Sequence, residues 1–203
     1  MKQVFVDLVS TYASSGELAL VLWEDISTRY EHPKRHYHNL RHLEHLYRQL
    51  LGVRQHIADW DTVLFSVFYH DVIYSATSGT NEEDSANYAA EQMRLMNVPE
   101  NIINRCMAQI LATQKHHLTG DNDTDMLTDA DLAILGEPWD EYHHYTTNIR
   151  KEYSIYPDLL YKPGRKKVLQ HFAGMEHIFK THHFRALLEE QARNNISKEL
   201  SEL

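Results

Sequence analysis

The dipeptide His70-Asp71 is the pair of residues in this chain whose types and position best suit chemistry. It follows an apolar run over residues 63–69, which is typical of a buried helix. Ionised carboxylates are rarely buried unless they are paired or bound to a metal. For the dipeptide alone, a polar pair facing solvent at a helix end explains the pattern equally well.

Further histidines and acids on either side make this dipeptide a candidate metal site. Downstream lies the step Asp129-Ala130-Asp131-Leu132, and upstream is a histidine cluster consisting of His36, His38, His42 and His45. One histidine and one aspartate from these groups would complete a His2Asp2 site. Such ligands suit a divalent ion such as Mn, Fe, Zn, Ni, Co or Mg, at one or two ions per chain.

The order of these residues resembles that of the HD-domain superfamily of metal-dependent phosphohydrolases. The segment Tyr37-His38-Asn39-Leu40-Arg41-His42 is similar to the YHNxxH segment of the cyclic-nucleotide phosphodiesterases in that superfamily. Four more segments resemble a bacterial subfamily of predicted HD phosphohydrolases: 81–86, 129–136, 149–153 and 192–195. This closer resemblance covers nearly the whole chain, whereas the metal motif spans residues 37–132.

The resemblance implies a role for each residue of the motif. His42, the second histidine of YHNxxH, would bind the metal together with His70 and Asp71, and His38 would donate a proton to the leaving group. The last ligand is expected in an Ala-Asp-Leu context, which favours Asp131. Asp129 would then accept a hydrogen bond from a ligand histidine.

Several other residues are candidates for supporting roles. Glu82 follows Asn81 as in the subfamily and would place a carboxylate near the metal-bound water, although a first-turn helix acid is an equal alternative. His116 and His117 lie where two-metal superfamily members carry extra histidines, but a cationic helix end explains them equally well. Candidates for holding substrate phosphate are Lys115, Arg150, Arg165 and Arg193, with Arg150 preferred; each is also explained as a surface or ion-pair residue.

Composition limits the class of protein. The chain has 203 residues, enough for one domain with a substantial core, and a net charge of -9 with no long basic run, which disfavours a nucleic-acid surface. The single Cys106 fits a reducing cytoplasm, and no apolar stretch approaches the roughly 20 residues that span a bilayer. We therefore expect a soluble cytoplasmic protein that acts on a small molecule, with a homo-oligomer left open.

Helical periodicity predicts an all-α, phosphodiesterase-like bundle of about ten helices. We expect a single HD-type domain over 1–203, with a metal-binding core at about 30–135 and family-specific C-terminal helices at about 138–203. Asp59 and Asn81 are expected helix caps, and 116–125 is the clearest loop. The predicted helices cover 2–13, 17–30, 38–51, 59–73, 82–96, 100–115, 126–135, 138–155, 165–173 and 182–201.

The expected function is hydrolysis of a phosphate ester or anhydride of a small molecule, with nucleotides as the leading substrate class. Four protein ligands leave positions open on an octahedral ion, and no cysteine ligand is available for a closed structural site. A di-iron oxygenase of the same fold and a non-catalytic metal-binding or ligand-sensing module are the alternatives.

Overall fold

A computed structural model describes residues 1–13 and 15–203, and within these ranges the protein consists of helices and connecting loops with no β-strand. The predicted all-α fold of about ten helices is confirmed. Two short 3₁₀ helices, Arg54–His56 and Leu132–Gly136, supplement ten α-helices. These are α1 Lys2–Ser10, α2 Gly16–Tyr30, α3 Leu40–Gly52, α4 Trp60–Tyr69, α5 Asn81–Leu95, α6 Glu100–Ala112, α7 Asn122–Asp131, α8 Trp139–Glu152, α9 Asp158–Gly174 and α10 His182–Glu202.

Helix α4 lies between two hydrophobic clusters and contributes to both. Phe65 and Phe68 belong to the cluster built with α1, α2, α5 and α6, whereas Val63 and Val67 belong to the cluster built with α7 and α10. Its residues from Thr62 to Tyr69 are all buried, as expected of a helix that is apolar on every side. The α4 C-terminus, where His70 and Asp71 follow, is therefore fixed from both sides.

Two helices near the site are shorter than predicted. Helix α4 ends at Tyr69 rather than at residue 73, because Tyr30 accepts the N–H of Asp71 at 3.2 Å and the chain turns there. Helix α3 begins at Leu40 because the Asn39 side chain caps it, accepting the N–H of Arg41 at 2.9 Å. His70, Asp71 and His38 thus lie just outside the helices.

The predicted starts of α7 and α9 are wrong by several residues. Helix α7 begins at Asn122, within the expected loop, because Asp121 caps it by accepting the N–H of Thr124. Helix α9 begins at Asp158 and continues through Pro163. A proline inside a helix frees the carbonyl four residues earlier, here that of Leu159. Both residues are exposed, so water can satisfy this group.

Of the two expected caps, only one is found. Asp59 caps α4 by accepting the N–H of Thr62 at 3.1 Å. Asn81 instead is the first residue of α5, and its side chain bonds both backbone groups of Ser75. Within the described ranges, none of the helices combines the length and the apolar character needed to cross a membrane.

Helix α10 packs tightly against the 3₁₀ helix that follows α7. The Asn195 side chain donates to the carbonyls of Leu135 and Glu137, both at 2.8 Å. A Cβ built on Gly136 would lie 2.5 Å from the Cβ and 2.8 Å from the carbonyl oxygen of Leu188. This close approach of the two backbones explains the glycine.

We predict that Gly136→Ala lowers the free energy of unfolding by about 1–3 kcal/mol, because the added methyl group must displace α10. Urea denaturation monitored by circular dichroism measures this change. Gly52→Ala is the matched control, since its added Cβ meets nothing within 4 Å beyond its own turn of helix. Equal stability of the two variants would contradict the close approach.

Candidate metal centre

Three of the predicted ligands form one group in the structure, and the fourth, Asp71, lies beside the two histidines of that group. His42, His70 and Asp131 form a group that could hold a metal ion, with their ligand atoms within 4.8 Å of one another. The two Nε2 atoms of the histidines are 3.1 Å apart. Asp71 Oδ2 lies 3.2 Å from His70 Nε2 and 3.7 Å from His42 Nε2.

These separations match the shell of a single ion. Two ligand atoms about 2.1 Å from one ion are about 3.0 Å apart at a right angle and about 4.2 Å apart when opposite. Asp131 Oδ1 lies 3.2 Å from His42 Nε2 and 3.7 Å from His70 Nε2, so all the distances between histidines and carboxylates fall in this interval. His42, His70 and Asp131 therefore fit a divalent ion, and Asp71 lies next to the two histidines of this group.

Each ligand is delivered by the end of a helix. His42 lies in the first turn of α3, His70 is the C-cap of α4 and Asp131 is the last residue of α7. His70 Nδ1 lies 3.1 Å from the Val67 carbonyl, which fixes the ring with Nε2 toward the cluster. His42 Nδ1 is buried and finds no hydrogen-bond partner in the described part of the chain.

Tyr30 and Arg35 hold the turn that presents Asp71, and sequence reasoning missed both. Arg35 donates to the carbonyls of Asp71 and Val72 at 2.6 and 3.0 Å and to that of His38 at 3.4 Å. Carbonyls at a helix C-terminus lack intrahelical partners, so a cation there is the interaction that α4 needs. Arg35 thereby joins the two segments that carry site residues.

The carboxylates of the cluster create a demand for positive charge. Burial by itself lowers the pKa of His70, but the charge of Asp71 and its hydrogen bond outweigh burial and raise that pKa to about 9. Burial also disfavours an ionised Asp131, yet the hydrogen bonds of His116 and His42 hold its pKa well below the usual range. A proton on His70 thus supplies charge that a divalent ion could supply instead.

Asp129 faces away from this cluster. Its carboxylate accepts the N–H groups of Lys180 and Thr181 at 2.8 and 2.7 Å and the Thr181 hydroxyl at 2.8 Å. The Lys180 ammonium lies 3.3 Å away. The expected hydrogen bond from a ligand histidine is therefore absent among the described residues, because Asp129 anchors the start of α10 instead.

Glu152 is a third residue that sequence reasoning missed. One of its oxygens accepts the N–H groups of Tyr37 and His38 at 2.7 and 2.9 Å, and the other lies 2.6 Å from His38 Nδ1 and 2.9 Å from the Tyr74 hydroxyl. Within segment 149–153 the sequence had favoured Arg150. The signal that could have identified Glu152 was its acidic side chain, two residues after Arg150 in the same segment.

The charge on His38 depends on this carboxylate. Burial lowers the pKa of His38, but the charge of Asp71 and the hydrogen bond that His38 donates to Glu152 outweigh burial and raise it above the ordinary value. Burial raises the pKa of Glu152, whereas its bonds to His38 and to the backbone bring it down to about 2. The pair therefore favours an imidazolium beside a carboxylate.

The two adjacent histidines after α6 separate in space. His116 Nε2 lies 3.0 Å from Asp131 Oδ2, the oxygen that does not face His42. His116 has a φ of 51°, a left-handed conformation that is uncommon for a residue other than glycine. His117 is exposed and lies against His171 instead. Only the first histidine can orient the carboxylate or reach a second ion.

The remaining candidates lie at different distances from the cluster. Glu82 lines the cavity beside it and accepts from Gln114 at 3.5 Å. Arg150 pairs with Asp158 at 2.8 Å and lies over the Tyr161 ring. Lys115 is exposed outside the cavity lining. Neither Lys115 nor Arg150 is thus brought to the site.

Comparison with known proteins finds no family model that matches the chain and no curated protein or solved structure with significant similarity to it.

Asp131→Asn should weaken binding of a divalent metal by at least about 100-fold, since even outer-shell partners of metal ligands are worth about 10–100-fold. Metal titration by calorimetry on chelator-treated protein measures this loss. Asp129→Asn is the control two residues away. It should bind metal normally and lower the free energy of unfolding by roughly 1–3 kcal/mol, because it disrupts buried hydrogen bonds. The opposite pattern would show that Asp129, and not Asp131, binds the metal.

Proposed function

We propose that this protein is a metal-dependent phosphohydrolase that cleaves a phosphate ester or anhydride of a small molecule, with nucleotides as the leading substrate class. The observation that carries the proposal is the juxtaposition of the His42, His70, Asp71 and Asp131 side chains with His38, whose Nδ1 lies 2.6 Å from the Glu152 carboxylate. The resemblance of the segment from Tyr37 to His42 to the HD-domain superfamily supports the same reaction. The cluster and His38 were expected from the sequence, whereas Glu152 was not.

His42, His70, Asp71 and Asp131 are the residues that would hold the ion. A bound divalent ion supplies Lewis acidity toward a phosphoryl oxygen and lowers the pKa of a coordinated water to about 7. The surrounding residues keep these side chains in place: Val67 fixes the ring of His70, and Tyr30 and Arg35 fix the turn at Asp71.

His38 would protonate the leaving oxygen of the substrate. Its Nδ1 is engaged by Glu152, so Nε2 is left to donate a proton, and the side chain lines the cavity beside Asp71. Tyr37 supports this arrangement, because its ring lies 5.0 Å from the rings of both His38 and His42. Glu82, on the same cavity, is the candidate for orienting the attacking water.

His38→Ala should keep the metal and lose about 10²–10⁴-fold in kcat, the usual range for removal of a general acid. The loss should be smallest for nitrophenyl phosphate, whose leaving group needs no proton. Released phosphate and the metal content of the purified variant are the measurements. His45→Ala is the control on α3, since His45 pairs with Glu137 outside this cavity, and it should turn over like wild type. Loss of metal in His38→Ala would show that His38 is a metal ligand or a structural support.

Glu152→Gln should lower the pKa of His38, because the neutral amide no longer stabilises the imidazolium. Activity that needs protonated His38 is lost as pH rises through that pKa, so the basic limb of the kcat profile should move to lower pH. NMR titration of the His38 ring measures the same shift without turnover. An unchanged pKa of His38 would contradict its dependence on Glu152.

Metal analysis separates this function from its two alternatives. Two irons per chain together with substrate oxidation and no phosphate release would favour the oxygenase, whose second ion His116 is placed to reach. Tight metal binding with no turnover of a broad panel of phosphate esters and anhydrides would favour the sensing module.

A further inference from the structure

The metal cluster opens into a cavity far larger than a phosphate group. The cavity has a volume of about 840 Å³, within the range of about 300–1,000 Å³ that holds drug-sized ligands. His42, Asp71 and Asp131 line one part of it, and α8 and α9 line another. A substrate that reaches beyond the cluster therefore meets the side chains of α8 and α9.

Aromatic and aliphatic side chains dominate the wall away from the cluster. The aromatic members include Tyr145, Tyr153, Tyr156, Tyr161 and Phe172. Rings of this kind stack on flat partners and bury large areas, while tyrosine hydroxyls still accept or donate hydrogen bonds. This wall suits a flat aromatic group that carries a few polar atoms.

Positive charge for additional phosphates is scarce in the same cavity. Among the lysines and arginines that the structure describes, Arg165 is the one that lines it. Its guanidinium is occupied by Glu199, with two hydrogen bonds of 2.7 and 2.9 Å, and by the Tyr145 hydroxyl at 3.2 Å. A polyphosphate chain would need several such cations and would instead share the cavity with the Glu82 carboxylate.

Helix α9 supplies the apolar part of the cavity next to solvent. Tyr161, Val168 and Phe172 recur at intervals of seven and four, which places them on one face of the helix. Leu160 also lines the cavity and is 61% exposed, so its apolar surface is still uncovered. Leu159, its neighbour, is more exposed and lies outside the cavity lining.

We propose that the cavity selects phosphate monoesters whose alcohol carries a flat aromatic group, which contacts α9, and that it disfavours polyphosphates. This inference rests on the proposed phosphohydrolase function for the position of the phosphate, and it adds the class of substrate. A nucleoside monophosphate and an aryl phosphate share this chemistry.

Binding of two phosphonates tests the aromatic contact without turnover. Calorimetry on metal-loaded protein should give an affinity for benzylphosphonate at least about 10-fold above that for methylphosphonate, which has the same anionic group and no ring. Equal affinities, or no binding of either, would overturn the inference. Binding of benzylphosphonate without phosphate release from any ester would contradict the hydrolase and leave the aromatic site standing.

Leu160→Ala and Leu159→Ala form a matched pair for the role of α9. The first should weaken benzylphosphonate several-fold and leave methylphosphonate unchanged, whereas the second should change neither. Equal affinities of the two variants for benzylphosphonate would show that α9 does not contact the ligand and would contradict the proposal.

Turnover tests the number of phosphates and the kind of aromatic group. At a fixed free metal concentration, kcat/KM for adenosine 5′-monophosphate should exceed that for adenosine 5′-triphosphate and for ribose 5-phosphate by at least about 10-fold. Phenyl phosphate in place of the nucleotide distinguishes an aryl from a nucleoside preference. A triphosphate or ribose 5-phosphate used as well as the monophosphate would overturn the selection proposed here.

Discussion

Two largely buried carboxylates, Asp71 and Asp131, impose the constraint on which the site depends. An ionised carboxylate away from water is costly unless a positive charge lies beside it. Both face the Nε2 atoms of His42 and His70, and with neutral rings these four side chains carry two negative charges and no positive one. A proton or a metal ion must therefore join the group, and the raised pKa of His70 reflects that demand.

The rest of the fold holds these charges in place. Because α4 is buried by two separate hydrophobic clusters, the turn at its end cannot move without disturbing both. Arg35 and Tyr30 then fix the turn itself, and Glu152 fixes the loop that carries His38. Ligands presented at the ends of packed helices keep their geometry more closely than ligands on free loops do.

Asp129 and Asp131 show how one short motif serves two purposes. Residues two apart on a helix point about 200° from each other, so a single helix end can face the two histidines with one carboxylate and α10 with the other. Asp131 contacts His42 and His116, whereas Asp129 binds the backbone of residues 180 and 181. The C-terminal helices are thus joined to the element that supplies a ligand.

The sequence by itself determined the helical class, the burial of α4, the Asp59 cap and the set from which the four converging side chains come. Periodicity and capping act within a few residues, and ligand chemistry follows from residue type, so neither needs the tertiary structure. Only the tertiary structure decided that Glu152 supports His38, 114 residues away, that Arg150 is occupied by Asp158, and that tyrosines from separate segments line one cavity. These contacts depend on how one helix is placed against another, which local sequence patterns do not specify.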